Sequence, residues 1–251
     1  ALDVLPGLMS ISNSVQTMDE NVLKNIKRRQ IRDAVQIIQD FKGEVQQPDF
    51  ILPLPGETKE NFIEGMKKLL DTKENIRFRV HPTQMLSATE LDTEESVKKY
   101  GLQYKYRQHS NFMGYCEGEF ICETERVIFA TNDMSLDDVF YCRIYTVFLD
   151  TLLRRAPVRE LIAYLNSIDI LVSDLTMQLV EDLSNAPADI QTCMQEYKES
   201  YMGEMFDTEE AVIKYMKKHQ KDYVLGNKGG DLLKYSMKLW IDHFPSMLDW
   251  L

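Results

Sequence analysis

Three short apolar runs, separated by two segments of helical period, fill the first 81 residues and restrict the fold more than any other feature. Residues 8–16 (LMSISNSVQ) alternate apolar and small polar side chains, the two-residue period of a strand. Asp19 follows as an N-cap. NVLKNIKR and QIRDAVQIIQDF then place apolar residues three and four apart, which predicts helix to about Phe41. Phe50, Ile51, Leu52 and Leu54 form a second run, ended by Pro55-Gly56. Thr58 caps ENFIEGMKKLLD, which carries Phe62, Met66, Leu69 and Leu70 on one face. Arg77 to His81 (RFRVH) reads as a third strand. Short connections and near-continuous apolar strands predict a parallel sheet with right-handed crossovers, part of an α/β barrel or a doubly wound sheet.

The middle of the chain differs. Tyr100 to Tyr106 (YGLQYKY) is aromatic-rich, and Cys122 to Ala130 reads as another strand or extended segment. Ser135, with Asp138 three residues on, has the pattern of a capping box opening a helix through DDVFYCRIYTVFLDTLL. After Pro157 helical periodicity prevails: VRELIAYLNSI, a stretch around LVSDLTMQLVEDL, and pieces near 187–200, 208–224 and 231–243, with a turn at Asn227–Gly230. The expected organisation is an α/β portion over 1–105, a mixed extension over 106–156 and a helical C-terminal domain over 157–251.

Charge and cysteine usage exclude several classes. With 29 basic against 40 acidic residues the net charge is −11, which lacks the phosphate-neutralising field of a nucleic-acid binder. No apolar run approaches the roughly 20 residues that span a bilayer, and Asp174 interrupts ILVSDLTMQLV. Neither nucleic acid nor a membrane is therefore an expected partner. Cys116, Cys122, Cys142 and Cys193 are too sparse for a disulfide scaffold and suit a reducing cytoplasm. Cys116 and Cys122 read as buried thiols. His81, His109, His219 and His243 lack zinc-site spacing, although His109 in YRQHSNFMGYCEG could line a substrate pocket or sit in a plain loop. Glu117, Glu119 and Glu123 alternate as on a solvated strand face. Trp240 and Trp250 read as packing or docking residues of one last helix. The chain opens ALDVLPGLMSIS without an initiator Met or a signal peptide, so it is expected to be cut from something longer.

In a parallel sheet or barrel, polar residues at the carboxyl ends of strands face the ligand crevice. Ser14 and Gln16 close the first strand, Asp49 opens the second and His81 ends the third. A hydroxyl, an amide and a carboxylate placed this way can hold a ribose or another polyol. Arg28, expected near the end of the helix's third turn, offers a planar fork for a carboxylate. Each of these residues also has a plain structural reading: Arg28 as a solvated helix arginine, Asp49 as a turn residue, Gln16 as the cap of a strand.

The ordered set is more specific. NSVQTMDENVLKNIKRR, then PDFILPLPGETKENF, then HPTQMLSATEL resembles the radical S-adenosylmethionine enzymes. Their fourth barrel strand commonly ends in Ser- or Gly-x-Gln followed by Asp, Val-Leu-Lys and Arg. Their fifth commonly reads Asp-Leu-Ile-x-Gly-Leu-Pro-Gly-Glu-Thr, and their sixth ends in a Leu-Pro-Gly-Thr-x-Leu loop. The subgroup containing a cobalamin-binding domain is nearest, since YGLQYKY-like and ATNDMSLDD-like stretches also occur there. The resemblance covers about residues 8–150 and is strongest between Ser12 and Leu91.

It implies an α/β fold: the C-terminal half of a parallel, partial TIM-like barrel followed by a helical C-terminal region. It also implies S-adenosylmethionine contacts at Ser14 and Gln16 (ribose or methionine), Arg28 (methionine carboxylate) and Asp49 (ribose hydroxyls), with Met85 to Ala88 against the adenine. Residues 100–150 and the helical tail would cover the open side of the barrel. The implied cofactors are S-adenosylmethionine, a 4Fe–4S cluster and cobalamin. The implied partners are a small-molecule substrate, undergoing methyl transfer or rearrangement, and an electron donor such as flavodoxin or ferredoxin. Two departures stand out: Pro53 replaces the usual strand glycine, and Ser87-Ala88 replaces Pro-Gly. The C-x-x-x-C-x-x-C that holds the family's cluster is absent from the sequence, so the cluster ligands and any cobalamin domain are expected upstream, and this chain alone is expected to be inactive and poorly soluble. The alternative reading is a non-catalytic α/β plus helical interaction module that has lost the cluster.

Overall fold

The computed structural model describes residues 10–29, 33–40, 45–72, 76–154, 156–225, 227–229 and 232–251. Three strands, β1 (Ser10–Gln16), β2 (Val45–Leu52) and β3 (Arg79–Gln84), lie parallel in that order. Asp49 is therefore the fifth residue of β2, not its opening one, and His81 sits inside β3 rather than at its end. The expected continuous helix to Phe41 is instead two pieces, α1 (Glu20–Asn25) and α2 (Ala34–Asp40). The break has a local cause. Lys27 adopts a φ of 53°, and the Arg28 N–H donates back to the Leu23 carbonyl at 2.8 Å, which closes α1. Leu8, Met9 and Phe41 lie outside the described residues.

Both expected caps form. Asp19 accepts from the N–H groups of Asn21 (2.8 Å) and Val22 (3.0 Å), and Thr58 accepts from Asn61 N–H (3.2 Å) at the start of α3 (Lys59–Leu70). Replacing Thr58 by Ala leaves that donor to water, and urea unfolding should record a loss of about 1 kcal/mol.

The parallel sheet expected over the first three strands forms, and antiparallel strands then extend it. After α4 (Glu94–Tyr100) come β4 (Gln103–Cys116) and β5 (Glu119–Ala130), a long antiparallel hairpin. Glu117 (φ 51°) and Gly118 (φ 84°) make its two-residue turn, the pair of left-handed residues that suits a right-twisted hairpin. β5 joins β3 antiparallel through Thr83–Ile128 and Gln84–Val127, giving the order β1-β2-β3-β5-β4. Among the described residues the sheet is open, with β1 and β4 at its edges. The hairpin thus extends the sheet rather than only covering it.

Helix α5 (Leu136–Arg154) opens on the expected capping box. Ser135 Oγ donates to Asp138 Oδ2 (2.6 Å), and Asp138 N–H donates to Ser135 Oγ (3.2 Å). It packs on α3 and on later helices: α6 (Ala156–Ser167), α7 (Val172–Glu181) and, beyond α8 (Ala188–Gly203) and α9 (Glu209–Val224), α10 (Leu232–Asp242). A last helix, α11 (Phe244–Trp250), has Pro245 in its first turn, so Trp240 and Trp250 stand on two helices rather than one. One apolar cluster runs from Val15 to Met247 and joins Phe50 and Leu52 of β2, Phe62 and Met66 of α3, and Tyr145 and Phe148 of α5. Because Phe50 and Leu52 face this layer, Asp49 and Ile51 face the opposite side of the sheet. Cys122, Cys142 and Cys193 are buried, whereas Cys116 is exposed, which corrects the expectation of two buried thiols in the hairpin.

Candidate cofactor site at the carboxyl ends of the parallel strands

β1 ends in an irregular turn. Its pairing to β2 passes from Asn13–Pro48 to Gln16–Phe50, so β1 accommodates one residue more than β2 over that step. Gln16 is buried with a φ of 66°, and Thr17 N–H donates to the Val15 carbonyl at 2.9 Å. A non-glycine residue held this way stores strain, a frequent property of ligand-contacting turns. Ser14, two residues earlier, is exposed.

The Pro55-Gly56-Glu57-Thr58 loop after β2 is knitted to this turn. Thr17 Oγ1 donates to Glu57 Oε1 (2.6 Å) and accepts from Asp19 N–H (3.1 Å). Asn61 Nδ2 donates to Asp19 Oδ2 (2.7 Å), and Asn25 Nδ2 donates to the Pro55 carbonyl (3.0 Å). Gly56 has a φ of 84°, and a Cβ there would lie 2.4 Å from Asn25 Nδ2. Glu57 is fully buried, which pushes its carboxyl up to about 8 against the smaller opposing effect of the Thr17 hydrogen bond. It is therefore a neutral acid at pH 7, and its Oε2 has no hydrogen-bond partner among the described residues. Pro53 lies just past the end of β2, so its missing N–H interrupts no ladder, and its carbonyl accepts from Thr83 Oγ1 (2.5 Å).

Asp49 projects on the open face and is held by Arg79 of the neighbouring strand. Arg79 Nε meets Oδ1 at 2.5 Å and Nη2 meets Oδ2 at 2.9 Å, a fork made possible by the Asp49–Arg79 register. His81 Nε2 lies 3.5 Å from Asp49 Oδ1. Arg28 follows the end of α1 instead of lying within it, and it is exposed.

The loop after β3 is braced from β5. Arg126 Nη1 donates to Asp92 Oδ1 (2.6 Å) and Nη2 to Ser87 Oγ (3.4 Å), while Ala88 N–H donates to Asp92 Oδ2 (3.3 Å). Ala88 has a φ of 62°, so it occupies a left-handed position where glycine carries no Cβ penalty. Ala88→Gly should stabilise the chain by about 0.5–1 kcal/mol in chemical denaturation, unlike a glycine placed in a helix.

The structure therefore brings Ser14, Gln16 and Asp49 onto adjacent strands, and Arg28 follows α1 as an exposed residue beside Lys27, which pairs with Glu90 of the loop after β3 at 2.7 Å. Sequence reasoning did not single out Thr17, Glu57 or Arg79. Glu57 had a signal, since it lies in Pro-Gly-Glu-Thr. Arg79 had none before the β2–β3 register was known.

Two comparisons bear on the class. No family model matches the chain. A cobalamin-dependent radical SAM methyltransferase, TokK of Streptomyces tokunonensis, is 29% identical over 141 residues, covering 52% of this chain and 20% of that protein. The chain thus spans about one fifth of its relative's length. Among the described residues no helix is long and apolar enough to cross a membrane.

Proposed function

We propose that this chain is the carboxyl-terminal part of a radical S-adenosylmethionine enzyme of the cobalamin-dependent kind, acting by methyl transfer on a small molecule. The observation that carries this reading is the strained Gln16 turn, tied through Thr17–Glu57 to the Pro-Gly-Glu-Thr loop at the ends of two adjacent parallel strands. The relative's name supports the methyl-transfer reading. On it, β1 to β3 are the last strands of a barrel whose remainder lies elsewhere in a longer protein, and the segments 1–105, 106–156 and 157–251 are its barrel part, extension and helical domain.

The donor set fits S-adenosylmethionine in part. Gln16 and Ser14 would hold its ribose or methionine portion and Asp49 its ribose hydroxyls, with Arg79 fixing the orientation of that carboxylate. Bound there, S-adenosylmethionine would supply the methyl group. Arg28, exposed just after α1, would pair with the methionine carboxylate. The residues present do not fit a 4Fe–4S cluster. Cys142 and Cys193 are buried thiols pushed up in pKa by burial, Cys193 to about 11, and among the described residues no three His, Cys, Asp or Glu side chains converge as a metal site. A flavodoxin- or ferredoxin-type electron donor would meet the part of the protein that holds the cluster.

Reading the genomic DNA upstream of the Ala1 codon tests this. The expected result is a continuous frame encoding C-x-x-x-C-x-x-C roughly 80–120 residues before Gln16, the span of three strand–helix units. A start codon at that point with no cysteine triad would leave the non-catalytic interaction module in its place. In the assembled protein, Asp49→Ala should weaken S-adenosylhomocysteine binding by about tenfold or more, measured by calorimetry.

A further inference from the structure

One cluster outside this site combines a shielded carboxylate, an oriented imidazole and an exposed ring. On the β4–β5 hairpin the pairing jumps from Gln108–Thr124 to Met113–Cys122, so residues 109–112 of β4 stand against Glu123 alone. A bulge of this kind re-aims side chains. At its first residue, His109 Nδ1 lies 2.6 Å from Glu125 Oε2. Glu125 is 7% exposed and also accepts from Arg107 Nε (2.6 Å) and from Gln84, the last residue of β3. A carboxylate can only accept, so the imidazole donates from Nδ1, and in the neutral ring Nε2 carries the lone pair. The His109 ring stacks on Phe112, tilted by 12° at a centroid distance of 5.6 Å, and Phe112 is exposed.

The bulge sets this imidazole, its shielded carboxylate and the exposed Phe112 ring side by side. We propose that His109, oriented by Glu125, is a proton-accepting group, placed to take a proton from a hydroxyl or ammonium of a small molecule lying against Phe112. The proton passes from that group to Nε2. The electron pair of the broken bond stays on the molecule's oxygen or nitrogen, and the resulting imidazolium is stabilised by Glu125. This does not depend on the S-adenosylmethionine reading.

Acylation of the full chain by diethyl pyrocarbonate at neutral pH, followed residue by residue by mass spectrometry, tests it. Side-chain exposure is 57% for His81, 33% for His109, 22% for His219 and 17% for His243, so accessibility alone ranks His81 first. The expected result is that His109 reacts fastest. Glu125→Gln should slow it by roughly tenfold, a typical effect of removing the partner that orients a histidine, and Glu125→Asp should restore much of the rate. Nitrogen NMR should show the His109 proton on Nδ1. Reaction in order of exposure, or a His109 rate unchanged in a folded Glu125→Gln variant, overturns the proposal. If that variant does not fold, the ranking and the tautomer in the unaltered chain decide.

Discussion

Glu57→Gln should remove a stability loss that the parent chain suffers as pH rises. The folded carboxyl titrates near 8 and the unfolded one near 4.5, so the folded state keeps a proton that the unfolded state releases across that window. Folding stability contributed by this group is therefore fully present below pH 4.5 and declines until pH 8. Glutamine keeps an oxygen for the Thr17 hydroxyl and has nothing to ionise. At about 1.4 kcal/mol per pKa unit, relief at pH 8 is on the order of 2–5 kcal/mol, with near-equal stability of the two proteins at low pH. Urea unfolding of both between pH 4.5 and 8.5 measures the difference directly. Parallel curves across that range would mean that Glu57 is solvated. Thr17→Val tests the same tie from its other end. It removes the hydroxyl that supports Glu57 Oε1 and should destabilise the chain by about 1–3 kcal/mol, because a buried acceptor loses its donor.

The second large effect is expected at Phe50→Ala. Phe50 is fully buried between the sheet and α3, edge-on to Phe62 and to Phe78 with both ring centroids at 5.7 Å. Its removal leaves a cavity that close-packed neighbours fill poorly, at a cost of about 3–5 kcal/mol. That is a large share of the roughly 5–15 kcal/mol by which domains are stable. Ile51, its neighbour on the other face, is only half-buried. Ile51→Ala should cost much less, about 1 kcal/mol, because the transfer of fewer buried methylenes is lost. Comparable costs at the two positions would mean that both faces of β2 are covered.

Much of the local structure was legible in the chain. The Asp19 and Thr58 caps and the Ser135–Asp138 box act within three residues of themselves, so the sequence contains all their atoms. The helices after Pro157 follow apolar spacing in the same way. The break after α1 was not legible, because a lysine in a left-handed conformation carries no compositional mark. The hairpin was half-visible: Cys122 to Ala130 had strand character, but β4 did not stand out among its polar and aromatic residues.

The candidate site divides along the same line. Gln16 and Asp49 were nameable because they end or lie within apolar runs, and Pro-Gly-Glu-Thr because turn chemistry is local. Tertiary structure alone decided that Thr17 meets Glu57 across 40 residues and that Asp49 is held by Arg79 across 30. Periodicity and capping depend on neighbours a few residues away, which the sequence determines. Strand register, the antiparallel joining of β5 to β3 and the neutral state of Glu57 depend on which surfaces exclude water together. Only the assembled layers settle that.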